Sequence, residues 1–212
     1  MKTFHKNKYY IFFHSTTLGH CILLGFFGFI HFFWLSHAYG LMHNNEGLYA
    51  QIPVEMLKNK AFIIPTLNGV PYIEKPPLLY WLVAIVYKIA GISETTARVI
   101  PALSGFMTCM GLYYMGYQHN QRETGFIAAL MLMGSVAFVI FSRMVYFEGL
   151  LTFTLTTALL LFYQASLTYS KKGLMASYIF LALAILTKGF VALILYGCVV
   201  MTWIIYRRSF IL

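Results

Sequence analysis

The sequence predicts an all-α integral membrane protein built as a multi-spanning helical bundle. Three observations predict it. Of 212 residues, 60% are hydrophobic and 10% are charged, whereas soluble domains carry roughly a quarter charged residues. The apolar residues fall in runs near the length of about 20 that a helix needs to cross a bilayer. One polar interval interrupts them, and it holds five of the six prolines: Pro53, Pro65, Pro71, Pro76 and Pro77. This composition excludes a water-soluble enzyme, a disordered tail and a nucleic-acid binder with a basic soluble face.

The first span is read over residues 18–42, behind Lys2, Lys6 and Lys8. Ser36-His37-Ala38 resembles a signal-peptide cleavage site. The apolar run exceeds the roughly 7–15 residues of a signal core, so an uncleaved span with a cytoplasmic N-terminus is expected. Residues 43–93 read as an outer loop with interfacial helices. Asn44 or Asn45 can cap a helix starting near Glu46. Leu48, Ile52, Met56 and Leu57 would face the bilayer, and Pro53 predicts a kink or restart. Leu78 to Ala90 is apolar but too short to cross, which predicts a helix along the interface.

Further spans within 94–206 are expected at Ala97–Tyr117, Gly125–Phe141, Leu150–Thr168, Leu174–Leu186 and Val191–Ile205, making about six. With the N-terminus inside, Lys171-Lys172 and Arg207-Arg208 also lie inside. Net charge is +9 and all six acids are glutamates. Five of these, Glu46, Glu55, Glu74, Glu94 and Glu148, then fall on the outer face. So do seven Lys or Arg, which the positive-inside rule does not explain. Anion binding at that surface would explain them.

Cys21, Cys109 and Cys198 sit in apolar runs and read as packing residues rather than a disulfide framework or zinc motif. His20 and His31 share a helical face but lie about 16 Å apart along the axis, too far for one ion. No metal site is expected from the histidines.

Three polar clusters converge on the outer face: Asn44-Asn45-Glu46, the run from Tyr72 through Glu74-Lys75 to Pro77, and Arg143, Glu148 and Lys188. Carboxylates can act as bases or bind metal, and Lys and Arg can hold phosphate. Ordinary helix-end charges are the structural alternative. The residues alone leave both open.

Two of these clusters carry a resemblance. Asn45-Glu46-Gly47-Leu48-Tyr49-Ala50-Gln51-Ile52, followed by Glu55-Met56-Leu57, resembles the Asp-Glu-x-x-Tyr-Ala-x-Ile…Glu-Met stretch of bacterial polyprenyl-phosphate-sugar glycosyltransferases. These are aminoarabinose transferase and protein O-mannosyltransferase-like enzymes with the GT-C membrane fold. The run Pro65-Thr66-Leu67-Asn68-Gly69 through Glu74-Lys75-Pro76-Pro77-Leu78-Leu79-Tyr80-Trp81 is similar to a second family block. Glu94, Ala97-Arg98, Pro101 and Leu186-Thr187-Lys188-Gly189 also fall where the family has similar residues.

The resemblance implies transfer of a sugar from a polyprenyl-phosphate carrier to a lipid (lipid A-like), glycan or protein acceptor at the outer face of the inner membrane. It implies catalytic roles at Asn45, Glu46 and Glu148. It implies substrate or phosphate binding by Tyr72, Glu74, Lys75, Arg143 and Lys188. The implied ligand is the lipid-linked sugar donor. No other cofactor is required, a divalent metal is left open, and nucleic acid is not an expected partner. Asn45 and Glu148 stand where the family has Asp, and Leu48 stands where the aminoarabinose branch has Arg. An amide cannot take a proton at neutral pH.

Family members run past twice this length, so 1–212 reads as the N-terminal portion of a GT-C domain, with a second chain as a candidate source of further spans. The alternative is a truncated non-catalytic subunit or degenerate paralogue that binds a lipid-linked sugar or a partner chain. A small transporter is a third reading, for which no inverted repeat is visible.

Overall fold

The computed structural model describes residues 17–34, 40–41 and 44–207. The expected cleavage site at 36–38, the N-terminal lysines, His14, His37, His43 and Arg208 lie outside the described residues. The protein is an all-α membrane bundle with one two-stranded hairpin.

Helix α1 covers Thr17–Gly28 and continues as a π-helical turn over Phe29–Phe33. It therefore stops short of the end expected at residue 42. Trp34 is already extended, and Gly40 and Leu41 are non-helical. Helix α2, Asn44–Asn59, runs through Pro53 as one element, so the expected restart does not occur. Its apolar stripe faces protein rather than lipid. Ile52 and Met56 are fully buried in a core shared with Leu79, Tyr80 and Val83. Leu48 and Leu57 are only half-buried at its edge.

Strands β1 (Thr66–Leu67) and β2 (Val70–Pro71) pair antiparallel, with Thr66 opposite Pro71 and Leu67 opposite Val70. Asn68 and Gly69 form the two-residue loop, both at positive φ. That is the backbone of a type I′ turn, and Asn-Gly is its favoured dipeptide. Helix α3 spans Leu78–Ala90, as the sequence predicts. Tyr80, Val83 and Tyr87 recur at helical spacing and turn inward against α2. Gly91, at φ +84, ends the helix, its N–H bonding to the Tyr87 carbonyl.

Helix α4 is Glu94–Gln118. Ser93 caps it reciprocally with Thr96: the Thr96 N–H donates to Ser93 Oγ and the Ser93 N–H donates to Thr96 Oγ1. The span expected over Gly125–Phe141 is broken. Helices α5 (Arg122–Met133) and α6 (Val136–Arg143) meet at 69° around Gly134-Ser135. The last three helices are α7 (Phe147–Thr168), α8 (Lys171–Lys188) and α9 (Phe190–Arg207). Among the described residues, three helices are long and apolar enough to cross a membrane: α4, α7 and α9. The α5–α6 pair makes a fourth if it counts as one span. Helices α1 and α3 are shorter apolar elements.

The α4, α5 and α7 helices pack side by side, α8 and α9 pack on α7, and α1 lies against α5. Several hydroxyls inside the bundle are satisfied locally. Thr108, Thr154 and Thr187 each donate to the carbonyl four residues earlier. Ser177 donates to the Ala158 carbonyl and shares a hydrogen bond with Tyr196. Apolar surroundings require such pairing.

Candidate functional site

The site lies where the segment after β2, the start of α7 and the end of α8 meet. It is built from the α2 side. Glu55, on α2, is largely buried and accepts hydrogen bonds from the Asn68 N–H (2.6 Å), the Thr66 hydroxyl (2.9 Å) and the Gly69 N–H (3.3 Å). The Asn68 amide is the main reason its pKa is lowered from the ordinary 4.5, and burial opposes it. Glu55 thus fixes the hairpin, and β2 delivers Tyr72-Ile73-Glu74-Lys75 to a defined place.

That segment lines an open cleft of about 540 Å³ together with Ile63, Ile64, Pro76, Pro77 and, from the end of α8, Lys188 and Gly189. Gly189 adopts φ +72, which ends α8. Lys188 Nζ lies 2.6 Å from Glu148 Oε1, in the first turn of α7. Tyr72 donates to Glu74 at 3.1 Å, and its pKa is pushed up to about 12, chiefly by burial and then by that carboxylate.

Behind the cleft stands an aromatic shell. Tyr49 packs edge-on against Phe147 (4.9 Å) and Tyr146 (6.2 Å), and Tyr80 against Phe147 (5.4 Å). Burial raises the Tyr49 pKa first, followed by the nearby Glu148, Tyr146 and Glu74 charges. Asn45 is exposed one helical turn before Tyr49 and so shares its face of α2.

Two predicted residues stand elsewhere. Glu46 is fully buried. Arg98 of α4 holds it through Nε (2.8 Å) and Nη2 (3.1 Å), and the Val145 N–H donates to it at 3.2 Å. Arg98 also donates to the Gly40 carbonyl. Arg143 donates to the Trp34 carbonyl at 2.8 Å, beside the end of α1, and does not line the cleft.

The structure thus brings Tyr72, Glu74, Lys75, Glu148 and Lys188 together. Sequence reasoning missed Glu55 as an anchor, Arg98 as the partner of Glu46, and Tyr49 and Tyr146 as the shell. The Asn68-Gly69 dipeptide was the available sign of the hairpin. Arg98, a charge in an otherwise apolar stretch, was the available sign of a buried acid.

His20 is buried, stacked on Phe126 at 4.3 Å, with Nε2 3.5 Å from Glu123. His31 Nδ1 lies 2.9 Å from the Phe27 carbonyl. Among the described residues no group of three or more His, Cys, Asp or Glu is placed to hold a metal ion.

Fold and site together define a multi-pass helical membrane protein with an open cleft lined by Glu74, Lys75 and Lys188, the last paired with Glu148. The chain belongs to the dolichyl-phosphate-mannose-protein mannosyltransferase family, whose profile matches residues 74–211. A protein of unassigned function from Aquifex aeolicus is 33% identical over 181 residues, covering 85% of this chain and 42% of that protein. An undecaprenyl phosphate-alpha-4-amino-4-deoxy-L-arabinose arabinosyl transferase from Shewanella sediminis is 29% identical over 173 residues, covering 79% and 31%.

The crystal structure of ArnT from Cupriavidus metallidurans bound to undecaprenyl phosphate superposes with a TM-score of 0.83 at 22% identity, over 92% of this chain and 37% of that one. The fold is thus the one the resemblance implied. The chain spans about two fifths of the length of the first of these relatives or less.

Proposed function

We propose that this chain is the N-terminal portion of a glycosyltransferase domain that moves a sugar from a polyprenyl-phosphate carrier to a lipid, glycan or protein acceptor. One observation carries the reading. The Tyr72–Pro77 segment and Lys188 line one cleft, and Glu148 is paired with Lys188 at its wall. The relatives named as arabinosyl transferases of an undecaprenyl-phosphate donor support the donor class.

In the step, the acceptor oxygen forms a bond to the anomeric carbon, and the bond from that carbon to the phosphate oxygen breaks. Polyprenyl phosphate departs with the electron pair. Lys75 and Lys188 stabilise the phosphate charge. Where the acceptor is a hydroxyl, Glu148 takes its proton. Tyr72 stays protonated through the physiological range, since its pKa lies near 12, and keeps Glu74 oriented. Glu46 acts through position: it ties α4 to Val145, three residues before Glu148.

The test is transfer of radiolabelled sugar from an undecaprenyl-phosphate donor in membranes holding the chain. Lys75→Ala and Glu148→Ala should each lower transfer about 10²-fold. Wild-type transfer that survives both substitutions overturns the site.

Asn45 favours a second reading, a chain that binds the lipid-linked sugar without transferring it. It shares the Tyr49 face but cannot act as a base. Donor binding without transfer, with transfer gained in Asn45→Asp, supports that reading. The cleft is read as facing outward at the inner membrane. Impermeant thiol labelling, in a background lacking the three native cysteines, should reach N45C and spare K171C. The reverse pattern overturns the orientation.

A further inference from the structure

The interfacial helix α3 has a second face. Trp81, Ala84, Ile85 and Lys88, at i, i+3, i+4 and i+7, wall a groove of about 790 Å³ that Leu57, Lys60 and Phe62 close on the other side. It shares no lining residue with the site cleft. Its walls are apolar, and its charged lining residues are Lys60 and Lys88, both exposed. Among the described residues neither lysine is ion-paired with a carboxylate. The Trp81 indole N–H donates to the Phe62 carbonyl at 2.7 Å. That bond holds the ring as a wall and leaves polar recognition to the lysines.

We propose that this groove binds an acidic phospholipid of the surrounding bilayer. An acyl chain lies along Trp81, Ala84 and Ile85, and the headgroup phosphate sits by Lys60 and Lys88. Three features select this occupant. Helix α3 has 13 residues, too few to cross, so it lies at headgroup depth. Trp and Lys beside apolar surface are the anchors of that depth. Two lysines without a lining carboxylate favour net negative charge, because the choline of a zwitterionic headgroup would meet both cations. Each lysine near an anionic surface contributes roughly fivefold in affinity. The inference stands apart from the transferase reading.

The test uses the full chain with Trp34→Phe and Trp203→Phe, which leaves Trp81 as the fluorophore. The chain is reconstituted in phosphatidylcholine vesicles and titrated with acyl-brominated phosphatidylglycerol or acyl-brominated phosphatidylcholine. Phosphatidylglycerol should quench Trp81 at about 25-fold lower mole fraction, given two lysines. K60Q/K88Q should bring the two lipids level while phosphatidylcholine quenching persists, showing that α3 is still in place. K171Q/K172Q, at the start of α8, should retain the preference. Equal quenching by the two lipids in the unsubstituted groove overturns the proposal. So does a preference that survives K60Q/K88Q. A preference lost instead in K75Q/K188Q would put the lipid in the site cleft and also overturn it.

Discussion

Lys188 Nζ and Glu148 Oε1 lie 2.6 Å apart although 40 residues separate them in the chain, and each side chain is about one third exposed. The pair joins the first turn of α7 to the last turn of α8 at the cleft wall. Exposure of that degree keeps its structural contribution small, about 1 kcal/mol or less. A double-mutant cycle with Glu148→Gln and Lys188→Gln, read by thermal unfolding in detergent, should return a coupling of that size. Donor transfer should fall far more in either single variant, about 10²-fold. Equal losses in stability and transfer would mark the pair as a structural clip.

The second ion pair behaves oppositely. Glu46 and the Arg98 side chain are buried, and two hydrogen bonds join them. Removing one partner strands a charge in an apolar core, at a cost of about 3–5 kcal/mol. Arg98→Met and Glu46→Gln should each lower the unfolding temperature sharply. The double variant should recover much of the loss, because no unpaired ion is left. A double variant as unstable as the sum of the two singles would refute the pairing argument.

These two pairs show how much of the site was legible in the sequence. Apolar runs fixed the helices, since each run must bury or span, and α3 was placed to the residue. The break in the α5–α6 segment was not legible, because Gly134-Ser135 is a mild signal inside a continuous apolar run. Neither was the end of α1 at Phe33, which no proline or charge marks. For the site, Lys188 and Glu148 could be grouped because both terminate spans on one side. Glu46 and Glu148 look alike as motif acids. Only tertiary packing puts Arg98 against the first and leaves the second at an open cleft.

Glu55 makes the hairpin sensitive to acid. Its pKa is lowered by the Asn68 amide above all, then by the Thr66 hydroxyl and the Gly69 amide. A carboxyl depressed on folding contributes stability that is present above its ordinary 4.5 and is lost as pH falls through the lower folded value. The Asn68 and Gly69 amides should therefore stay protected from hydrogen exchange at neutral pH and lose protection in acid. Glu55→Gln should flatten that pH dependence. A profile unchanged by the substitution would assign the acid response to another group.

A close helix contact between α4 and α5 offers a test of packing alone. Gly116 of α4 faces Gly125 of α5 so closely that a Cβ on Gly116 would stand 2.6 Å from the Gly125 Cα and 2.8 Å from its nitrogen. A Cβ on Gly125 would stand 2.9 Å from the Tyr113 carbonyl oxygen. The obstacles are backbone atoms, so no side chain can swing aside. Small residues at such crossings let apolar helices approach in lipid. Gly116→Ala and Gly125→Ala should each destabilise by about 1–3 kcal/mol, the usual range for overpacking. Gly197→Ala, which meets nothing within 4 Å, should be neutral or slightly stabilising, since alanine is the better helix former. Thermal unfolding of the three variants in one detergent measures the contrast, and equal effects at all three glycines would show that the α4–α5 approach is looser than described.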